Sequence, residues 1–444
     1  MINSDVFGGC RLKYLVVLFF LGSSVFSQAG SRWLEAAIDA AEWIDSTEIC
    51  WPGGGVYWPS NPEKPSDSAF FYKGNAGIVL FYTRLYEVSG QERWLQKARD
   101  GADYMIDVLP EKDWIWPDSG GLQGGFGGIS FSFHNLYKAS GDKKYLDAAV
   151  NILHLLTQKV GTPINIENLG ATTDIMGGYA GFGLAHLYAH EQGYYGPSLK
   201  LAEAAGDQLL FEANMLDGYM YWWMKPDYPK NLPNFSHGTA GIAYFLARLY
   251  QVTGKQRFLD AALSGANYLL QLQNEQGLIC HSEPDGQDLF YMGWCHGPVG
   301  TVRLYYLLAE VTDDKKWLKP VAKSFDAVLA VDLDEKRTPG FWNNISQCCG
   351  SAGVAACALD LSGPLQRPDY KSYAYRLTED ILDRAERTQH GLKWTQAEHR
   401  IRPEFLEAQT GFMQGAAGVG YWLLQLHAHE KGMDLNFQLP DSPY

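Results

Sequence analysis

Gly238-Thr-Ala-Gly241, followed by Ile242-Ala-Tyr-Phe-Leu-Ala-Arg-Leu-Tyr250, is the stretch that decides the fold, because its pattern recurs seven times along the chain. Each copy consists of a Gly-x-x-Gly motif, a mostly apolar run and a short turn. Successive copies begin 51 to 65 residues apart, a repeat length typical of helical hairpins. The motifs begin at Gly74, Gly125, Gly178, Gly238, Gly297, Gly350 and Gly415.

Two kinds of helix alternate in this pattern. The run after each motif is apolar on nearly all sides, which predicts a helix buried on most sides. The segment that follows, such as Arg257–Tyr268, has the i, i+3, i+4 spacing of a single apolar face. One amphipathic helix (32–43) precedes the first motif and one apolar helix (421–427) follows the last. We therefore predict an all-α (α/α)7 toroid of seven inner and seven outer helices, closed by pairing of the N- and C-terminal helices.

The first 29 residues have the pattern of a secretion signal. Arg11 and Lys13 precede an apolar run (14–26), and Ser27-Gln-Ala29 places small residues before a cleavage point. The run is too short for a spanning helix of about 20 residues. The sequence predicts a secreted or periplasmic protein, with a signal-anchored form as the alternative, and a single domain over residues 30–444.

The charge limits the classes of partner. A formal net charge of −14 disfavours nucleic acid, because phosphate binding needs a basic face. Apart from the signal, no segment is apolar enough to suggest a membrane association. We expect a monomer that acts on small molecules or peptides.

Cysteines mark the places where single repeats depart from the common pattern. Cys295 precedes the fifth motif, and Cys348 and Cys349 precede the sixth, at equivalent points. Three thiolates brought together in this way suit zinc, which binds sulfur at about 2.3 Å in a tetrahedral shell, and the fourth position stays open for catalysis. Buried thiols, or a disulfide with one thiol left over, are the alternatives. A Cys50–Cys280 bridge stays open as well, and Cys357 is expected in the core.

Two further polar residues belong to neighbouring repeats. His237 directly precedes the fourth motif, and Asp174 lies four residues before the third. In alternating hairpins the inner helices all point the same way, so their N-termini meet at one end with unpaired N–H groups and partial positive charge. We expect the site at that end. Repeats one, two and seven carry Lys73, Gly124 and Gln414 where His237 stands, and offer no obvious ligand or acid.

Together, these motifs resemble the lanthionine synthetase C-like (LanC-like) family over roughly residue 32 to the end. The resemblance implies one zinc ion per chain, with Cys295, Cys348 and Cys349 as ligands. Most members have histidine at the third position, and the Cys-Cys-Gly form is similar to a subset of promiscuous lanthipeptide cyclases. The implied activity is conjugate addition of a thiol to dehydroalanine or dehydrobutyrine, which forms a thioether. The implied partner is a thiol-containing peptide or a small thiol.

The resemblance also implies roles for individual residues. His237 corresponds to the acid that protonates the enolate, and Asp174 to a residue that helps deprotonate the thiol or orients a partner. We expect Trp294, His296 and Tyr291 to line the substrate site. Bacterial cyclases usually carry an arginine where Tyr291 stands, so this chain departs from the family at the position that stabilises the enolate.

Other functions and simpler roles remain open. Helical toroids also host carbohydrate-active enzymes, and fold alone does not exclude this class. The motifs carry no paired carboxylates of the kind that glycoside hydrolysis needs. A catalytically silent, zinc-stabilised peptide-binding protein is the third candidate. Asp174 could serve only as a helix cap, and His237 as a cap or core histidine.

Overall fold

The computed structural model describes residues 31–109 and 116–444, so the predicted signal (1–29) lies outside the described residues. Helices dominate this part of the chain. They are α1 (Arg32–Asp45), α2 (Asn75–Ser89), α3 (Glu92–Val108), α4 (Phe126–Ser140), α5 (Lys143–Val160), α6 (Tyr179–Glu191), α7 (Ser198–Phe211), α8 (Thr239–Thr253), α9 (Gln256–Leu272), α10 (Pro298–Thr312), α11 (Leu318–Leu329), α12 (Ser351–Ser362), α13 (Pro368–Asp383) and α14 (Ala416–Lys431).

The helices form two concentric rings. The even-numbered helices, which follow the glycine motifs, are the inner ring, and each contacts its neighbours around the circle. Helix α14 contacts α2, which closes this ring. Each of α2 to α12 in the inner ring packs against the outer helix that follows it, and α14 packs against α1. The predicted (α/α)7 toroid, including its closure by the first and last helices, is confirmed.

The difference between inner and outer helices follows from their sequences. In α8, residues 239–247 are all buried, as expected of a helix surrounded by others. In α9 the buried positions, among them Phe258, Ala262 and Leu269, fall on a single face. Gly254 ends α8 in the left-handed conformation (φ 66°), which glycine adopts without steric cost. The repeated hairpin is therefore encoded locally.

The helix N-termini differ from the expectation in one respect. The loop before each motif curls over the first turn so closely that a Cβ at Gly238 would meet the carbonyl oxygen of Leu232 at 1.5 Å. The N–H of Ala240 donates to Pro233 O (3.0 Å), and equivalent bonds occur in repeats one, three, six and seven, for example Ala180 to Thr173 O (3.1 Å). The prediction that first-turn N–H groups are unpaired is wrong for these positions. The helix dipoles still point their positive ends toward the loops.

The long loops between hairpins contain short antiparallel strand pairs. The pairs are β1 (Ile49–Cys50) with β2 (Val56–Tyr57), β3 (Asn214–Leu216) with β4 (Tyr219–Tyr221), β5 (Glu386–Thr388) with β6 (Gly391–Lys393), and β7 (Thr395–Ala397) with β8 (Leu406–Ala408). Because these loops lead into the inner helices, they cover the end where the glycine motifs meet. No helix among residues 31–109 and 116–444 is long and apolar enough to cross a membrane.

A carboxyl group on the inner ring makes stability depend on pH. Burial raises the pKa of Asp360 to about 7, although Arg303 and a hydrogen bond from Gln425 oppose the shift. In an unfolded chain the pKa of an aspartate is about 3.9. Because the folded state holds the proton more tightly, the stabilising contribution is complete below about pH 4 and is lost as the pH rises toward 7.

Replacement of Asp360 by asparagine tests this assignment. The amide would keep the polar contact with Gln425 without the ionisation, so we expect a higher melting temperature than wild type at pH 8 and little difference at pH 4. Calorimetry at the two pH values measures the effect. Asp147→Asn, at a side chain that is 61% exposed, is the control and should show no such dependence. Parallel pH profiles for wild type and D360N would contradict the assignment.

Candidate metal centre

The sulfurs of Cys295, Cys348 and Cys349 converge at the end of the ring where the glycine motifs meet. The Cys295–Cys349 and Cys349–Cys348 sulfur pairs are each 3.3 Å apart, and all three sulfurs lie within 4.8 Å of one another. A tetrahedral zinc ion with bonds of about 2.3 Å separates its sulfurs by about 3.8 Å. The three side chains are 2–7% exposed. Spacing, burial and ligand chemistry therefore fit zinc.

Backbone hydrogen bonds hold the two cysteine loops together. The N–H groups of Trp294 and Cys295 both donate to Cys348 O, at 2.8 and 3.3 Å. The N–H of Cys348 in turn donates to Met413 O (3.0 Å), in the loop of the next repeat. Equivalent positions of adjacent repeats thus lie side by side, which is why cysteines 53 residues apart in sequence meet.

Contacts within the cluster favour one thiolate over the other two thiols. Burial opposes ionisation of Cys348, but hydrogen bonds from Cys295, Cys349 and Tyr72 lower its pKa well below the usual value. The hydrogen bond to Cys348 raises the pKa of Cys295, and the one to Cys295 raises that of Cys349. Contacts within the protein alone therefore favour the thiolate form of Cys348.

A histidine–carboxylate pair stands beside the sulfurs. Asp174 Oδ2 lies 2.6 Å from His237 Nδ1, and Asp174 Oδ1 accepts from the N–H groups of Gly177 and Gly178, both at 3.0 Å. Asp174 is 2% exposed, whereas the side chain of His237 is 30% exposed. His237 is the last of the groups that lower the pKa of Cys348. The pair holds the imidazole with Nδ1 toward the carboxylate and leaves Nε2 for chemistry.

Aromatic and imidazole rings form a wall next to this pair. The ring of His296 lies 5.7 Å from that of His237, 4.5 Å from His281 and 5.6 Å from Tyr291, measured between centroids. Burial, with the neighbouring histidines, lowers the pKa of His296 well below its usual value. His296 and Tyr291 therefore lie on the side of the histidine–carboxylate pair, and their role in lining a substrate site stays a prediction. His296 does not belong to the metal-binding group.

Arg400 brings a positive charge to the same wall. Burial raises the pKa of Tyr291 to about 12, and a hydrogen bond from Arg400 opposes the shift. Burial also lowers the pKa of His281 to about 4, with Arg400 as the next cause. Arg400 lies between β7 and β8 and therefore comes from a different loop from that of Tyr291.

The expected lining role of Trp294 is not supported. Its side chain is 2% exposed, and its indole N–H donates to the buried Asp441 carboxylate (3.1 Å). The ring also packs edge-on against Phe235 (5.9 Å). Trp294 therefore contacts Asp441 and Phe235 and supports the cysteine loop through these contacts.

Two residues outside the predicted site contact the sulfurs. The Tyr72 hydroxyl hydrogen-bonds Cys348, and Gln414 Nε2 lies 3.9 Å from Cys349 Sγ and 2.9 Å from the Tyr72 hydroxyl. They come from repeats one and seven, in which the sequence showed no obvious ligand or acid, and neither belongs to the metal-binding group. Gln414 occupies the position equivalent to His237, and this equivalence could have identified Gln414 as a site residue from the sequence. Nothing in the sequence pattern singled out Tyr72 or Arg400.

The other cysteines within residues 31–109 and 116–444 take no part in this cluster. Cys280 is buried and its Sγ donates to Ser282 O (3.8 Å), so the Cys50–Cys280 bridge is not formed. Cys357 is 1% exposed within α12, and burial raises its pKa to about 12. It is a core residue, as predicted.

Comparisons with known proteins agree with this arrangement. A family model described as lanthionine synthetase C-like protein matches residues 66–435. A Danio rerio protein named glutathione S-transferase LANCL1 is 23% identical over 313 residues, which are 67% of this chain and 71% of that protein. The structure of nisin cyclase matches with a TM-score of 0.63 at 17% identity, covering 90% of this chain and 95% of that one.

A second kind of protein shares the architecture. The structure of a GH76 α-mannanase from Bacteroides thetaiotaomicron matches with a TM-score of 0.51 at 13% identity, covering 91% of this chain and 98% of that one. At such identities both structural likenesses show the fold alone. The comparison therefore shows that a carbohydrate-active enzyme shares the fold, but it identifies no site residue for that function in this chain.

Proposed function

Because the chain belongs to the lanthionine synthetase C-like family, we propose that it is a zinc-dependent enzyme that adds a thiol to a dehydroamino acid and so forms a thioether. The observation that carries the proposal is the cluster of three buried sulfurs within 4.8 Å, next to the His237–Asp174 pair. Thiol ligands supply the metal site, and the pair supplies the proton transfer. A zinc-stabilised protein that only binds peptide would need the sulfurs but not the His237–Asp174 pair, so the pair favours an enzyme.

Zinc fits the residues present and would supply one function. Bound to Cys295, Cys348 and Cys349, it would hold a substrate thiol as its thiolate at the fourth position. Three thiolate ligands make the ion less electrophilic, which favours a nucleophilic substrate sulfur. The hydrogen bonds from Gln414 and Tyr72 keep two of the ligand sulfurs in place.

His237 is positioned to handle the proton of the reaction. When the substrate sulfur forms a bond to Cβ, the double-bond electrons move to the carbonyl oxygen of the dehydro residue. The Cα then takes a proton from His237, and the proton given up by the thiol restores the acid. Histidine exchanges protons near neutral pH, which suits both steps. Asp174 is a positioning residue, since it fixes the ring through Nδ1.

Arg400 is the group we assign to the developing oxyanion. Tyr291 stands where related bacterial enzymes carry arginine, and Arg400 hydrogen-bonds this tyrosine from the β7–β8 hairpin. A guanidinium in a water-poor site stabilises negative charge that appears only during the reaction. In this proposal, Arg400 supplies the positive charge that an arginine at position 291 would supply in the related enzymes.

The proposal is tested by turnover. The zinc-loaded chain, given glutathione or a cysteine peptide together with a dehydroalanine peptide, is expected to yield a product whose mass is the sum of the two reactants. Mass spectrometry detects it, and a reaction without protein gives the background rate. Thioether formation no faster than that background with either thiol, at full zinc occupancy, would favour the silent peptide-binding alternative.

A further inference from the structure

The segment after α14 returns to the centre of the ring. We call residues 433–444 the axial segment. Three of its carbonyl oxygens accept from side chains of inner helices. Tyr421 of α14 donates to Phe437 O (2.8 Å), Tyr244 of α8 to Pro440 O (3.4 Å) and Arg303 of α10 to Asp441 O (2.9 Å). The segment therefore lies against the inner helices, with Asp441 buried and Asp434, Asn436 and Gln438 exposed.

Asp441 places a carboxylate deep in the molecule. It is fully buried, and its Oδ2 accepts from Trp294 Nε1 (3.1 Å) and Gln123 Nε2 (3.4 Å) and lies 3.4 Å from Arg303 Nη1. Its Oδ1 has no hydrogen-bond partner within the described residues. Burying a charged group costs free energy because it loses water. An apolar residue could fill this space without that cost. We therefore expect the carboxylate to have a role other than packing.

Trp294 connects this carboxylate to the metal centre. Its indole donates to Asp441, its backbone N–H donates to Cys348 O (2.8 Å), and the next residue is Cys295. One residue thus links the axial segment to both cysteine loops. Movement of the Trp294 ring would shift the peptide that sets the distance between Cys295 and the other two sulfurs.

We propose that Asp441 is a positioning residue of the metal centre, which fixes the Cys295 loop by accepting the indole hydrogen bond of Trp294. The inference rests on the zinc site of the proposed function and extends it to a segment that lies 147 residues away in sequence. Groups hydrogen-bonded to metal ligands typically change metal affinity about 10–100-fold, and Trp294, which donates to Cys348 O, is such a group. The competing explanation is that Asp441 and Arg303 form an ion pair that stabilises the fold only.

Zinc affinity, measured on the full chain by competition with a chromophoric chelator, separates the two explanations. We expect Asp441→Ala to weaken zinc binding about 10–100-fold. Asp441→Asn keeps an oxygen that can accept from the indole, so its affinity should stay close to wild type. Trp294→Phe removes only the donor and a small part of the ring, and should match D441A. The double variant should be no weaker than either single variant.

Tyr444→Phe is the control for general loosening of the axial segment. The Tyr444 hydroxyl lies 4.0 Å from Cys357 Sγ and the ring packs on Tyr306, away from Trp294. This variant should lower the melting temperature without changing zinc affinity. If D441A fails to fold, W294F decides the question.

The inference is overturned by wild-type zinc affinity in folded D441A or W294F, or by D441N binding as weakly as D441A. It is also overturned if affinity falls in step with melting temperature in every variant, Y444F included. In those cases the proposed function stands. A wild-type chain that takes up no zinc contradicts the proposed function and this inference together.

Discussion

Cys348→Ala is expected to leave the chain without zinc and without thioether-forming activity. The variant removes one of the three sulfurs that lie within 4.8 Å of one another, and two remaining thiols cannot complete the protein's share of a tetrahedral shell. Metal analysis of the purified protein should fall from one zinc per chain to almost none. The melting temperature should also fall, because a ligand that binds only the folded state stabilises it by about 4 kcal/mol at roughly 1,000 times its Kd.

Cys357→Ala is the matched control for this experiment. It removes an equally buried thiol from the adjacent helix α12, outside the sulfur cluster. We expect full zinc content and unchanged activity, with only the modest loss of stability that follows from a smaller core side chain. Zinc retained in C348A, or lost equally in C357A, would contradict the assignment of the three ligands.

His237→Asn is expected to lower turnover about 10²–10⁴-fold while leaving zinc content unchanged, because the variant removes the proton carrier and no metal ligand. The stereochemistry of the product gives a sharper test. In deuterated water, wild type should place deuterium on a single face of Cα. In H237N, solvent should protonate Cα from either side, and both configurations at Cα should form.

Two further variants serve as comparisons for H237N. Asp174→Asn should reduce turnover as well, because the imidazole loses the carboxylate that fixes Nδ1. His154→Asn changes an exposed histidine on α5 and should behave as wild type. Stereospecific deuterium incorporation at normal rates in H237N would assign the acid to another residue.

The fold could be predicted because its information is local and repeated. Gly238 and the six equivalent glycines mark helix starts at which a side chain would collide with the preceding loop. The apolar runs after them mark the inner ring, and one unpaired helix at each end implied closure. Each inference needed only a few neighbouring residues.

The site could be predicted only where it follows the repeat. Cys295 and Cys348 stand two residues before their glycine motifs, and Cys349 and His237 stand one residue before theirs, so the symmetry of the ring brought them together. Tyr72 and Arg400 reach the site through side-chain length and hairpin geometry, which no spacing encodes. The expectation of unpaired N–H groups failed because the loops fold back onto the helix starts.

X-ray absorption at the zinc edge of the purified wild-type protein tests the central claim most directly. We predict one zinc ion per chain with three sulfur neighbours at about 2.3 Å and one oxygen or nitrogen neighbour. A chain that contains no zinc, with two of the three cysteines joined in a disulfide, would contradict it.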